Sequence, residues 1–339
     1  MRRGLVTLLL LAIALLALSV LSLAVGSVWI APKRLLEVLW AAPSSGAAIP
    51  WERVVLVELR LPRALLAMLA GGGLGIAGAV MQGLFRNPMA EPGVLGVSAG
   101  SALGAVLTLY ALPSMLSAYL VPAGAFVGAI GCTALVWLVG ARAGRATTTS
   151  LLLAGLAVAT CASAATSFVL SVALAEWEVG RQMLDWLMGG LEGRGWGSVA
   201  MATPMVLGGA VALVAHARTL DALLVGETTA MAVGIDVVRA RRELVGFGAL
   251  VTAASVASAG VIGFVGLIVP HVLRLLVGPR HRVLLPASLL GGAAFVLAAD
   301  LACRIAPGDL RLGVLSGMLG GPFFVALLIR ERRRQEATR

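Results

Sequence analysis

A chain of 339 residues that is 60% apolar and 12% charged, with a mean hydropathy of +0.99, has too little polar surface for two soluble domains, which carry about 25% charged residues. Its net charge of +10 does not mark a nucleic-acid surface, because the charges fall between apolar runs instead of on one patch. Aromatic residues make up 5%, too few for the girdles of an outer-membrane barrel, and the runs are helix-length. The composition therefore predicts an all-α fold, a polytopic membrane helical bundle.

A spanning helix needs about 20 apolar residues. Charge-free runs extend over 4–32, 64–85, 92–141, 146–175, 195–217, 244–273, 283–299 and 312–329. The first follows Met1-Arg2-Arg3 and carries Ser22-Leu23-Ala24 near its end, as a signal peptide does. Its apolar stretch from Leu5 to Val25 is longer than the core of such a peptide, so a retained first helix is expected. The run 92–141 is too long for one helix and breaks around Pro113, Ser114, Ser117, Tyr119 and Pro122. Within 244–273, Gly260, Gly263, Gly266 and Pro270 argue for a second break.

Charge then fixes the count and direction. Ten spans put 17 of the 26 basic residues at cytoplasmic ends, among them Arg2, Arg3, Arg86, Arg142, Arg218, Arg274 and the tail beyond Arg330. Nine spans would put Arg280, Arg282 and that tail outside, against the cytoplasmic excess of basic residues. The expectation is about ten transmembrane helices with both termini cytoplasmic, as a single membrane domain over 1–339.

Several chemistries have no residues to carry them. The only lysine is Lys33, after a proline, and no phosphate-binding loop, H-E-x-x-H, G-x-S-x-G or cluster of metal ligands occurs. No catalytic residue, metal site or cofactor is expected. Cys132, Cys161 and Cys303 read as packing residues, and His216, His271 and His281 as capping or interfacial groups at helix ends. The predicted span centres hold almost no ionisable residue, whereas ion-coupled carriers keep one there. Glycine runs such as Gly71-Gly72-Gly73-Leu-Gly75 suit close helix packing.

Arg60-Leu-Pro-Arg63 precedes a glycine-rich helix and then Met81-Gln-Gly-Leu-Phe-Arg86-Asn87-Pro88-Met-Ala-Glu91-Pro92-Gly93-Val-Leu-Gly96-Val-Ser98. Further along stand Leu151-Leu-Leu-Ala-Gly155, Trp186-Leu-Met-Gly-Gly190, Gly226-Glu227-x-x-Ala230-x-x-x-Gly234, Gly263-Phe-Val-Gly-Leu-Ile-Val-Pro270-His271-x-x-Arg274, His281-Arg282-x-Leu-Leu-Pro286 and Gly320-x-Pro322-Phe323-Phe324. Over roughly 55–330 this resembles the FecCD-type permeases, membrane subunits of ABC importers for iron chelates, haem and vitamin B12.

The resemblance implies a homodimer of ten-helix subunits in the cell inner membrane, surrounded by lipid. Two cytoplasmic ATP-binding subunits and a periplasmic substrate-binding protein complete the assembly, with no nucleic acid. It implies an iron chelate, siderophore or haem, as cargo, with a corrinoid as the alternative. A secondary transporter is the rival from another class, and a membrane-embedded enzyme is a third. By the same resemblance, Arg60, Arg63 and Arg304 match arginines that dock the binding protein, the alternative being interfacial anchors. The cytoplasmic segment 218–236, with Gly226, Glu227, Ala230 and Gly234, matches the segment seated in the ATPase; the alternative is an amphipathic loop. Asn87, Met89, Thr148 and Thr149 match a cytoplasmic gate, although hydroxyls before a helix also serve as caps. Asp309-Leu310-Arg311 departs from the family's Glu-Leu-Pro, and either adds a positive charge to the docking face or weakens the last helix start.

Overall fold

The computed structural model describes residues 2–26, 28–40, 51–112, 119–142, 147–306, 308 and 310–337. Among these, every regular element is helical. In chain order the helices are α1 (Arg2–Ala24), α2 (Pro32–Trp40), the single turn α3 (Trp51–Arg53) and α4 (Leu61–Leu84). Then come α5 (Val97–Ala111), α6 (Leu120–Arg142), α7 (Thr148–Ala173), α8 (Trp177–Leu187) and α9 (Trp196–Ala215). The chain continues with α10 (Ala217–Val225), α11 (Glu227–Ala232), α12 (Val237–Ala259), α13 (Val265–Val277), α14 (His281–Ile305) and α15 (Leu312–Ala337). A π-helical stretch, Val54–Arg60, joins α3 to α4. Seven of these stretches are long and apolar enough to cross a membrane, and α5 and α13 are shorter apolar helices. Residues 113–118, where the first break is expected, lie outside the described residues.

Helix α4 is the axis of the bundle. Of its most apolar stretch 83% is buried, against 6% for α1, so α4 packs on protein and α1 faces outward. Its glycines make this possible. A Cβ on Gly71 would collide with the Gly292 carbonyl of α14, one on Gly75 with Ser288 O, and one on Gly78 with Gly266 O of α13. Helix pairs in lipid gain stability from van der Waals contact, which small residues permit at short range. The same device joins α5 to α6, where Gly100 faces Gly128 and Gly104 faces Gly124.

The break expected within 244–273 lies between α12 and α13. Helix α12 stops at Ala259, and Gly260 (φ 74°) turns the chain in the left-handed region that glycine enters without a steric penalty. Helix α13 begins after Phe264, itself at φ 65°. A Cβ on Gly266 would lie 2.7 Å from Pro92 Cδ and 3.0 Å from the carbonyl of Leu74. Leu74 is halfway along α4, so α13 starts in the middle of the bundle.

Outside the main bundle, α2 buries Leu35 and Val38 against Ala24, Ile30 and Leu56. Its opposite face exposes Lys33 and Arg34, which pairs with Glu37 at 2.9 Å and Glu52 at 3.0 Å.

Candidate functional site at the two ends of the bundle

One end gathers the C-termini of α1 and α14, the N-termini of α4, α9 and α15, and α8. Helix α1 ends with carbonyls that have no intrahelical partner, at the negative pole of its dipole. Two arginines meet them. Arg60 donates through Nη1 to Leu23 O (2.7 Å) and Ala24 O (3.0 Å), and through Nη2 to Val28 O. Arg304 donates through Nη1 to Ser22 O (3.0 Å) and Val25 O (3.2 Å), and through Nη2 to Ser22 Oγ. A Cβ on Gly26 would lie 2.6 Å from Arg60 Nη2, so the missing side chain leaves room for the guanidinium. Arg60 and Arg304 thus serve as C-terminal caps. Arg60, Arg63 and Arg304, the three arginines expected to dock a binding protein, all stand at this end of the bundle, and Arg60 and Arg304 also bind carbonyls at and just beyond the end of α1.

Beneath them lies Asp300, 1% exposed. It accepts from Arg63 Nε at 2.9 Å, and Arg304 Nε stands 3.1 Å from its other oxygen. Arg63 also faces Glu192 at 4.0 Å. Arg311, at the departure from the family pattern, binds Glu192 at 2.6 Å and Asp185 at 2.8 Å. It therefore ties the start of α15 to α8 and to the 188–195 loop. A cavity of about 480 Å³ opens beside this network, lined by Leu109, Pro122, Trp186, Arg194 and Arg311 among others. Removal from water lowers the pKa of the Arg194 guanidinium, since desolvation disfavours the charged form.

The opposite end holds α10 and α11. Gly226 separates the two helices, Ala230 is fully buried and Gly234 sits at φ 83°. Glu227 is exposed and accepts from Arg241 of α12 at 2.6 Å. Helix α10 is held from both sides. Arg86 Nε donates to Leu223 O at 3.0 Å, and Asp221 accepts both the backbone N–H of His281 and a contact from its Nδ1, each at 2.8 Å. The segment expected to couple to the ATPase is thereby fastened to the ends of α4 and α14.

Asn87 and Met89 belong to one turn, in which the Met89 N–H donates to Asn87 Oδ1 at 2.9 Å. The cap of α7 is Thr147, whose Oγ1 accepts from the Ser150 N–H at 3.2 Å. Thr148 and Thr149 form the first turn of α7, with Thr149 exposed. Among the described residues no hydrogen bond joins Asn87 or Met89 to Thr149.

Sequence reasoning missed Glu91. The segment after α4 folds back into the bundle, and the Glu91 carboxylate accepts the Phe264 N–H at 2.7 Å, beside the α13 start at mid-bundle depth. A carboxylate does sit near the centre, supplied by a connecting segment and not by a span. It caps the positive pole of α13. The nearby Gln82 amide donates to Leu267 O at 3.1 Å.

A family model described as the FecCD transport family matches residues 14–330. The chain is 44% identical to a cobalamin import system permease protein of Halobacterium salinarum, over 88% of this chain and 79% of that one. It is 37% identical to a hemin transport system permease protein of Yersinia pestis, over 88% of each. To an iron(III) dicitrate transport system permease protein of Escherichia coli it is also 37% identical, over 82% of this chain and 86% of the other. Among solved structures, one described as an inward-facing conformation of a metal-chelate type ABC transporter superposes with a TM-score of 0.83. It shares 30% identity over 95% of this chain and 98% of that one.

Proposed function

The chain belongs to the FecCD transport family, and from that premise we propose that it carries an iron chelate, a siderophore or haem, through a homodimer of ten-span subunits with cytoplasmic termini. It is a membrane permease subunit of an ABC importer, multi-pass in the inner membrane. ATP hydrolysis belongs to separate ATP-binding subunits, and a substrate-binding protein delivers the cargo. The observation that carries the reading is the match over residues 14–330, because it covers both polar ends at once. The named relatives transport cobalamin, hemin and iron dicitrate, so a corrinoid is the second reading for the cargo.

The ten spans of this reading are the seven long stretches, α5, α13 and the apolar part of α12 after Glu243. Alternation of direction then puts α10 and α11 on the cytoplasmic side and α8 on the outer side. The coupling role of Gly226, Glu227, Ala230 and Gly234 is supported by two short helices braced on α4, α12 and α14. The gate at Asn87, Met89, Thr148 and Thr149 is supported by their position at helix ends on that same side.

For docking, Arg63 is the best placed of the three arginines. Its side chain is 19% exposed and stands near Arg311 at the outer end. Arg60 and Arg304 shape that surface by holding α1. The test is reconstitution with the cognate ATPase and binding protein in proteoliposomes, with uptake of labelled ferric siderophore, haem and cobalamin measured against ATP hydrolysis. Uptake of an iron chelate is the expected result. Cobalamin uptake alone would move the cargo to the second reading.

A further inference from the structure

Trp51–Leu84 is one continuous helical stretch of 34 residues. At 1.5 Å per residue it is about 50 Å long, against a hydrocarbon core of about 30 Å. Its charged residues, Glu52, Arg53, Glu58, Arg60 and Arg63, all precede residue 64, so the excess length stands clear of the membrane at that end. Glu52 lies about 15 Å beyond Arg63 along the axis.

Helix α2 packs on this overhang. Leu35 and Val38 are buried with Leu56 and with Ala24, the last residue of α1, which sets α2 at the level where α1 leaves the bilayer. Its roll about its own axis is fixed by Arg34, whose guanidinium reaches the Glu52 carboxylate at 3.0 Å and is drawn away from the membrane. At 3.6 residues per turn Leu36 lies about 160° round the helix from Arg34, so it is turned back toward the membrane. Lys33 falls between the two. Leu36 is 63% exposed, and Trp29, in the link from α1, is 61% exposed.

Apolar side chains left in water forgo the gain of burial, and indole rings favour the headgroup level of a bilayer. The most apolar stretch of α1 is only 6% buried by protein, so its lipid-facing surface runs up to the foot of α2. We propose that α2 is an interfacial anchor lying on the headgroup layer of the outer leaflet. Leu36 and Trp29 enter the apolar boundary of that layer, and the Lys33 ammonium stays at the level of the lipid phosphates. The occupant is lipid because the flank turned toward the membrane is apolar, while Arg34, Glu37 and Glu52 pair with one another on the flank turned away. The leaflet rests on the topology proposed above; the interfacial depth needs only that α1 and α4 cross the bilayer.

The test is site-directed spin labelling of the full chain, with its three cysteines replaced by serine, in vesicles of phosphatidylcholine and phosphatidylglycerol. Leu36→Cys and Trp29→Cys carry the reporting labels. Leu10→Cys in α1 and Trp51→Cys on the overhang, both exposed, are the lipid and water references. Power saturation with oxygen, which partitions into lipid, and with a nickel chelate, which stays in water, reads the depth of each label. The labels at Leu36 and Trp29 are expected about 5–10 Å inside the headgroup boundary, between the two references. A label at Leu36 as open to nickel as the one at Trp51 overturns the proposal.

Addition of the purified binding protein provides the competing outcome. If it immobilises the Leu36 label and shields it from oxygen and nickel alike, the face belongs to a protein partner and the proposal is likewise overturned. Should Leu36→Cys fail to insert, Lys33→Cys probes the neighbouring flank, with less nickel access than Trp51→Cys expected and equal access counting against the anchor. Depth is read without cargo or ATP, so uptake in the reconstituted complex scores the importer reading separately.

Discussion

Asp300 carries more at its end of the bundle than its sequence position suggests. Enclosed at 1% exposure between Arg63 and Arg304, it faces two guanidinium groups, one of which also caps α1. Removing one member of a buried ionic group leaves unpaired charge and costs about 3–5 kcal/mol. Asp300→Ala is therefore expected to lower the thermal unfolding temperature in detergent markedly, and Arg304→Ala to lower it as well. The double variant should fall short of their sum, since residues in one network are not additive. Charge reversal separates the arginines. Arg60→Glu should destabilise the protein, because it sets a carboxylate against the carbonyls of α1, and no change on the binding protein should rescue it. Arg63→Glu should weaken binding-protein association in surface-binding measurements, less so at high salt, and a reversed charge on the partner should restore part of it. The family resemblance singles out the three arginines, and the charge pattern predicts one common side for them. What faces them could not be read there, because the end of α1 lies more than 30 residues upstream of Arg60, and only the packing of α1 on α14 brings it near Arg304.

Helix α4 shows what a glycine pattern conveys and what it omits. The run Gly71 to Gly78 reads as close packing, and each of Gly71, Gly75 and Gly78 indeed meets backbone on another helix. The pattern does not reveal which helices those are. The break after α12 was legible from Gly260, Gly263 and Pro270, since glycine and proline punctuate helices by local sterics. Glu91 was not, because its depth depends on how far the segment after α4 folds back, and no local signal encodes that. Its bond to the Phe264 N–H makes a specific prediction. Glu91→Gln keeps an acceptor oxygen and should retain folding and most uptake. Glu91→Ala takes the acceptor from that part-buried N–H, a loss of about 1 kcal/mol, and should reduce thermal stability with a proportionate loss of uptake in proteoliposomes. Equal stability for the two variants would show that the cap contributes nothing.

Seen whole, the molecule keeps two polar clusters at opposite ends, with ion pairs joining α4 to α14 and the start of α15 to α8 at one end and the braced pair α10–α11 at the other. The pattern of charge along the sequence predicts that these ends face opposite sides, because basic residues sort by side. The bracing contacts, Arg86 to Leu223 O and Asp221 to His281, join residues 60 or more positions apart and became visible only in three dimensions. If motion of ATP-binding partners enters through α10 and α11, Arg241→Ala should loosen the hold of α12 on Glu227 and lower the uptake obtained per ATP hydrolysed, with insertion unaffected. Single cysteines at Asn87 or Met89, in a background without the three native cysteines, should cross-link between subunits in a nucleotide-dependent manner. Failure in every nucleotide state would count against a gate there.

The amphipathic helix α2 offers one more handle. Its exposed face bears Lys33, the sole lysine of the chain, so the protein has a single side-chain amine for acylation. A membrane-impermeant succinimidyl ester added to intact spheroplasts should modify one residue, and peptide mass mapping should find it in α2. The same reagent sealed inside right-side-out vesicles should leave Lys33 untouched. An inverted result would turn the whole bundle over, and with it the sides assigned to the cavity and to α10–α11.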